Sequence, residues 1–268
     1  MNKKRVAIIS PNPKSLYTNS VCELLLRKDV DIQLIIVKKF SIQRFIDEFS
    51  RDGSRLIVKI WRKLVLKERY YYNSKAFNII DYRKELNLEI SDVAEFEKNG
   101  TELLYTKNIN SQRVEQKLKK SGCDLVIFTG GGLIRNNILN AVKHGVINCH
   151  MGILPKYRGM DVIEWAILEG DFSNIGITCH FMEKGVDTGP ILKIKKIPIL
   201  KNDSIQSIRA RFEPIMIEEM VNVVLGILTS RIKPKVQNIE DGKQYFVMSK
   251  TLNKICRTNL LKYTESSF

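Results

Sequence analysis

The stretch DLVIFTGGG, residues Asp124–Gly132, is an apolar segment that ends in three consecutive glycines. A second apolar segment, GVINCH, follows at Gly145–His150. Short runs of β-branched residues bounded by glycine are typical of buried strands in a parallel sheet. Ligands of such sheets bind beyond the carboxyl ends of the strands, so the ends of both segments are candidate positions for a site.

The start of the chain predicts the same class of fold. Arg5–Ser10 is expected to form a buried strand, residues 20–28 a helix and residues 32–37 a second strand. This β-α-β order implies a parallel sheet with a right-handed crossover. The turn at residues 11–15 contains neither GxGxxG nor GxxxxGK[ST], which argues against an NAD enzyme and against a P-loop ATPase.

The rest of the chain predicts an α/β protein with an open, mostly parallel sheet flanked by helices. We place the main domain at residues 1–200 and a short, helical C-terminal extension at 201–268. A helical insertion is expected at about 41–75. Further strands are predicted at 102–105, 124–128, 146–150, 175–182, 191–197 and 244–248, and helices at 90–99, 111–120, 136–143, 160–169 and 204–229.

The composition limits the classes of partner. The net charge is +15, which suits nucleic acid, acidic lipid or a phosphorylated small substrate. The lysines are spread along the chain without interleaved aromatic residues, which favours a solvated basic surface and disfavours nucleic acid. Two interpretations of the basic 41–75 insertion stand. It is either a helix that meets RNA or a membrane surface, or a helix packed on the sheet.

The cysteines and the hydropathy pattern bear on the compartment. The five cysteines are scattered and include no CxxC pair, which indicates reduced thiols and argues against a disulfide framework and against a metal site. No signal peptide and no membrane span are expected, because no apolar run is long enough. We therefore predict a cytoplasmic protein.

Three polar residues in apolar surroundings suit acyl transfer to an amine without a covalent enzyme intermediate. Asn148 and His150 lie two positions apart on a strand, so both side chains point to one side. An Asn amide can stabilise an oxyanion, and His can move a proton. Asp187, in a glycine-flanked loop, is expected to raise the pKa of His150 and to favour the cationic ring. Cys149 should face the core, and His180 is as consistent with a structural role as with a functional one.

Several motifs in sequence order resemble those of the folate-dependent formyltransferases. The resemblance rests on an Asn-x-His at residues 148–150, LPKYRG at 154–159, a Gly-x-Thr-x-His at 176–180 and VDTGPIL at 186–192. It implies a Rossmann-like fold and transfer of the formyl group of N10-formyltetrahydrofolate to an amine. It also implies that Asn148, His150 and Asp187 are the catalytic residues.

The resemblance also implies the position of the folate. Residues Gly132, Leu133, Ile134 and Arg135 correspond to the segment that wraps the pterin ring, and Gly185 and Val186 to the opposite wall of the pocket. Core packing is the alternative for Leu133 and Ile134.

Among the branches of this family, the sugar N-formyltransferases are the most similar. The turn at residues 10–14 lacks the Gly-x-Gly-Ser-Asn type phosphate loop of the glycinamide ribonucleotide enzyme. The stretch after Ser204 is too short for the C-terminal β-barrel domain of the methionyl-tRNA enzyme. The expected acceptor is thus the amine of a nucleotide-linked amino sugar used for surface polysaccharides such as lipopolysaccharide. A methionyl-tRNA enzyme and a formyltetrahydrofolate hydrolase stay open, and so does the oligomeric state, with a homodimer as one option.

Overall fold

A computed structural model describes residues 5–40 and 76–267, with Ile46 and Ser50 between them. The predicted helical insertion at 41–75 lies outside the described residues apart from those two positions. The described residues contain the strands β1 Arg5–Ser10, β2 Asp31–Lys38, β3 Glu102–Thr106, β4 Leu125–Phe128, β5 Val146–His150, β6 Tyr157–Gly159, β7 Gly176–Phe181, β8 Ile191–Lys196 and β9 Lys243–Tyr245.

The main sheet has the strand order β3-β2-β1-β4-β5-β7-β8. The pairs from β3 to β5 are parallel, whereas β7 runs antiparallel to β5 and β8 antiparallel to β7. Strands β6 and β9 pair in parallel as a separate small sheet. The chain moves outward from β1 in both directions, so the strand order reverses between β1 and β4, where sheets of this kind bind ligands. The predicted open, mostly parallel sheet is confirmed.

Helices cover both faces of the sheet. Among the described residues they are α1 Leu16–Leu26, α2 Ile79–Glu85, α3 Gln112–Lys120, α4 Asn136–Leu139, α5 Val162–Leu168, α6 Ile205–Leu228 and α7 Lys250–Ser266. Serine caps four of them, because each hydroxyl accepts a hydrogen bond from a backbone N–H that has no partner inside the first turn. The capping residues are Ser15, Ser111, Ser204 and Ser249. None of the helices in the described ranges has the length and apolar character needed to cross a bilayer.

Alternating side chains of the strands build a core on each face of the sheet. In β1, Val6 and Ile8 pack into one core, and Ala7 and Ile9 into the other. Helices α1, α5 and α6 contribute to the first core, and α3 and α4 to the second. The completely buried Phe212 of α6 belongs to the first core, and burial of such a side chain stabilises the fold by about 1.5–3 kcal/mol.

Several element boundaries differ from the sequence-based expectation. The helix predicted at 90–99 is a 3-10 helix over Val93–Asn99, and it begins there because the Asp92 carboxylate caps its first turn. The helix predicted at 136–143 ends at Leu139. Strand β9 is shorter than the predicted 244–248, and β6, α2 and α7 were not predicted. Helix α7 buries Cys256, Leu260 and Thr264, which lie on one face of the helix.

Candidate active site

Strand β5 carries two of the predicted site residues at its carboxyl end. Its neighbours are β4, where Phe128 lies beside Asn148, and β7, where His180 lies opposite Asn148. Cys149 is buried in the core below β5, as predicted. Asn148 and His150 therefore project from the opposite face of the strand, and His180 projects on that same face of β7.

The hairpin between β7 and β8 brings Asp187 to these histidines. Asp187 has a φ of +53°, a left-handed conformation that few residues other than glycine adopt readily. Its carboxylate Oδ2 lies 3.3 Å from Nδ1 of His150 and accepts a hydrogen bond of 2.9 Å from the backbone N–H of Gly159. Its Oδ1 lies 3.5 Å from Nε2 of His180. The structure thus brings Asp187 and His150 together over 37 residues of chain, counted from 150 to 187.

His180 is the residue through which Asn148 joins the group. Its ring is 1% exposed, and its Nδ1–H donates to the backbone oxygen of Phe181 at 2.7 Å. The other ring nitrogen, Nε2, lies 3.4 Å from the amide Nδ2 of Asn148 as well as 3.5 Å from Asp187. His180 therefore occupies the centre of the cluster. The GxTxH motif places a polar residue at the end of this strand, but only the β5–β7 register shows that it faces Asn148.

The carboxyl group of Asp187 is ionised at all ordinary pH values. Burial alone would raise its pKa, but the hydrogen bond with His180, the charges of His150 and His180 and the N–H of Gly159 lower the pKa to about 2. The site therefore holds a fixed negative charge next to two imidazole rings.

His150 differs from the sequence-based expectation. Burial lowers its pKa, and His180 acts in the same direction, while Asp187 and the backbone oxygen of Tyr157 oppose the shift without reversing it. Asp187 raises this pKa, as expected, but the net shift is downward because the desolvation of a charged ring outweighs one nearby carboxylate. Nε2 donates to the Tyr157 oxygen at 2.9 Å, which leaves Nδ1 as the ring nitrogen that faces Asp187.

The glycine segment follows β4, the strand that pairs with β5. Gly130, Gly131 and Gly132 have φ values of +134°, +132° and +104°, where side chains are strained. The Nζ of Lys38, at the end of β2, donates to the oxygen of Gly131 at 2.5 Å. Backbone without side chains lets a flat ring approach closely, and the contact of this segment with the pterin ring stays a prediction.

The predicted folate-binding residues differ in their exposure to solvent. Leu133 is 77% exposed and Arg135 is exposed, whereas Ile134 is buried in the core. Asn110, which the sequence analysis missed, holds this segment through two hydrogen bonds. Its side chain donates to the oxygen of Leu133 at 2.9 Å and accepts from the N–H of Arg135 at 2.7 Å.

Gly185 and Val186 immediately precede Asp187 in the hairpin. Gly185 is exposed and Val186 is half-buried. Their contact with folate, like that of Gly132, Leu133, Ile134 and Arg135, stays a prediction. No group of three histidine, cysteine or acidic side chains within the described ranges could hold a metal ion.

A family model described as "Formyl transferase" matches residues 79–224, more than half of the chain. The chain belongs to the formyl transferase family. The matched range contains Asn148, His150, His180 and Asp187, and the resemblance seen in the motifs is confirmed at the level of the family.

A curated relative within the formyl transferase family is the methionyl-tRNA formyltransferase of Finegoldia magna. The two sequences are 33% identical over 156 residues, which cover 58% of this chain and 45% of that protein. The chain spans about half the length of the curated relatives it matches.

Solved structures of formyl transferases share the fold. A sugar N-formyltransferase from Shewanella sp FDAARGOS_354 has a TM-score of 0.59 at 15% identity and covers 96% of this chain and 88% of its own. Glycinamide ribonucleotide transformylase 1 from Symbiobacterium toebii has a TM-score of 0.58 at 16% identity, with 88% and 95% covered. At these identities the likeness establishes the Rossmann-like architecture.

Proposed function

We propose that this protein transfers the formyl group of N10-formyltetrahydrofolate to the amine of a nucleotide-linked amino sugar. One observation carries the proposal. Asn148, His150 and Asp187 come together around His180 at the carboxyl end of β5, and the glycine segment follows the neighbouring strand β4. The cluster offers an oxyanion donor, a proton acceptor and a fixed carboxylate, which are the groups that formyl transfer to an amine requires.

Each residue then has a defined task. As the amine nitrogen bonds to the formyl carbon, the Asn148 amide donates a hydrogen bond to the formyl oxygen, which becomes negative. Nδ1 of the neutral His150 ring, the nitrogen beside Asp187, accepts the proton that the amine loses, and ionised Asp187 stabilises the imidazolium that results. His150 then gives the proton to N10 of the folate as the bond between N10 and the formyl carbon breaks. Tetrahydrofolate and the formamide are the products.

Two features support an amino-sugar acceptor. The turn after β1 lacks the glycine-rich phosphate loop expected for a glycinamide ribonucleotide enzyme. The net charge of +15 suits an acceptor that carries a diphosphate. An acceptor of this kind would place the protein in the synthesis of surface polysaccharides.

Methionyl-tRNA is the second candidate acceptor. The similarity to methionyl-tRNA formyltransferases and the basic charge favour it. A tRNA acceptor would make binding fall steeply with salt, because several phosphates are neutralised on binding. A sugar diphosphate offers two phosphates and should give a much weaker salt dependence.

A transfer assay with N10-formyltetrahydrofolate separates these alternatives. The acceptors are a panel of nucleotide-linked amino sugars and charged methionyl-tRNA, and a reaction without acceptor runs alongside. Folate release that depends on one amino sugar is the expected result and identifies the substrate. Release with tRNA alone would contradict the sugar assignment, and release without any amine would indicate a hydrolase.

The pH dependence of kcat should identify the protonation state in which His150 works. A neutral ring must accept a proton, so kcat is expected to be high at neutral pH and to fall as the pH drops through the pKa of His150. Burial places that pKa below the ordinary histidine value of 6.5, while Asp187 stays ionised throughout. The measurement is kcat from about pH 5 to about pH 8. A rate that instead fell with rising pH across this range would show that the cationic ring is the active form.

A further inference from the structure

The chain after α6 reaches back to the candidate active site. Lys235 pairs with Ile191 at the start of β8 through two backbone hydrogen bonds of 2.7 Å. Strand β9 pairs with β6, and Tyr245 lies beside Gly159 in that ladder. The stretch 235–245 lies beyond the range matched by the family model, yet it touches both sides of the site.

Gln237 lies within this stretch and bonds to the backbone of the Asp187 loop. Its Nε2 donates to the oxygen of Asp187 at 3.1 Å and also to the oxygen of Gly189. The residue is 8% exposed, so these bonds form away from water. Its Oε1 is buried and finds no hydrogen-bond partner among the described residues. Burying Oε1 without a hydrogen-bond partner costs free energy, and the two hydrogen bonds donated by Nε2 offset that cost.

We propose that Gln237 is a positioning residue that holds Asp187 against His150. The inference rests on the proposed function for the role of Asp187 in transfer, while the structural part concerns the loop alone. Asp187 has a left-handed backbone, which persists only where surrounding contacts fix it. Gln237 supplies two of those contacts, one on Asp187 itself and one two residues later.

The carboxylate of Asp187 is held from a different direction. The N–H of Gly159 bonds Oδ2, and Gly159 is fixed by its pairing with Tyr245. With Gln237 in place, both the backbone and the side chain of Asp187 are anchored to the stretch 235–245. Without the Gln237 amide, the backbone loses its anchor and the carboxylate moves relative to the imidazole of His150.

The titration of His150 reports this movement directly. The charged and titratable groups that act on His150 are Asp187 and His180, and those that act on Asp187 are His180 and His150. Asp187 raises the pKa of His150 against the effect of burial. Removal of Asp187 from contact distance should therefore lower the titration midpoint of His150 further.

The test compares Gln237→Met with Gln244→Met in the full-length protein. Methionine keeps the length of glutamine but has no N–H donor, and Gln244 is an exposed glutamine of β9. The chain contains three histidines, so NMR of histidine-labelled protein resolves each ring, with assignment from single substitutions.

We expect Gln237→Met to lower the His150 midpoint by about half a pH unit or more. We also expect kcat to fall about tenfold with little change in the KM for formyl folate. Gln244→Met should match the wild type in both.

The outcomes separate this inference from the proposed function. An unchanged His150 midpoint in folded Gln237→Met overturns the positioning role, even where the wild type transfers formyl groups. A lowered midpoint together with an inactive wild type supports the positioning of Asp187 and rejects the proposed function. If Gln237→Met does not fold, Gln237→Asn replaces it. That variant keeps the amide on a shorter side chain and should give a smaller shift in the same direction, and no shift would overturn the proposal.

Discussion

A His150→Ala variant is expected to lose at least two orders of magnitude in kcat, on the order of 3 kcal/mol in the barrier. The ring of His150 lies between the Tyr157 oxygen and the Asp187 carboxylate, and the proposed proton transfer passes through it. The measurement is steady-state transfer at neutral pH with the acceptor that the panel identifies. KM for formyl folate should change much less than kcat, because the loss concerns the transition state.

His144→Ala is the matched control. His144 is half-exposed in the turn before β5, so the same truncation there should leave kcat unchanged. The His150 substitution also leaves the buried Tyr157 oxygen without its donor, which costs about 1–3 kcal/mol of stability. Thermal unfolding must therefore show that the variant is folded. A folded His150→Ala protein with nearly normal turnover would contradict the mechanism.

The strands of the site could be predicted because their signal is local. Apolar runs such as Leu125–Phe128 and Val146–His150 end at glycines or polar residues, and period-two alternation places Asn148 and His150 on one face. The contact between His150 and Asp187 is different. It depends on the antiparallel return of β7 and β8, and the sequence indicated it only through motifs that resemble those of a known family.

The central position of His180 could not be derived from its motif. Its role follows from one register, in which it lies opposite Asn148 in the β5–β7 pair. A shift of one residue would turn its ring toward the core. The net pKa shift of His150 differs from the sequence-based expectation for a related reason. A sequence shows that a carboxylate is available, but burial, which dominates the pKa of this ring, arises only from the packed fold.

The contribution of the C-terminal part was the least visible in the sequence. Helix α7 buries three side chains, and β9 is three residues long. Gln237 lies in a mixed stretch without periodicity. Its importance for the site depends on contacts with residues that are 48 and 50 positions away in sequence.

Asp187→Asn is expected to lower kcat at least a hundredfold, because the imidazolium formed on His150 loses its counter-charge. The isosteric amide keeps the shape of the loop, so the effect isolates the charge. Glu183→Gln is the control, since it removes one negative charge from an exposed position of the same hairpin. The measurement is kcat for both variants at neutral pH. Equal rates in the two variants would mean that the negative charge of Asp187 has no specific role.

The stability of Asp187→Asn should also depend on pH in a defined direction. The carboxyl of Asp187 has a pKa of about 2 in the folded protein and an ordinary value of 3.8. A lowered pKa stabilises the folded state above pH 3.8, and this contribution is lost as the pH falls toward 2. Just above pH 3.8, where the imidazole charges that lower this pKa are present, the wild type should therefore be about 2 kcal/mol more stable than Asp187→Asn in denaturant unfolding. The difference should shrink in acid, because protonation removes the charge that the asparagine lacks. A difference that stayed constant down to low pH would assign the effect to packing instead of to the carboxylate charge.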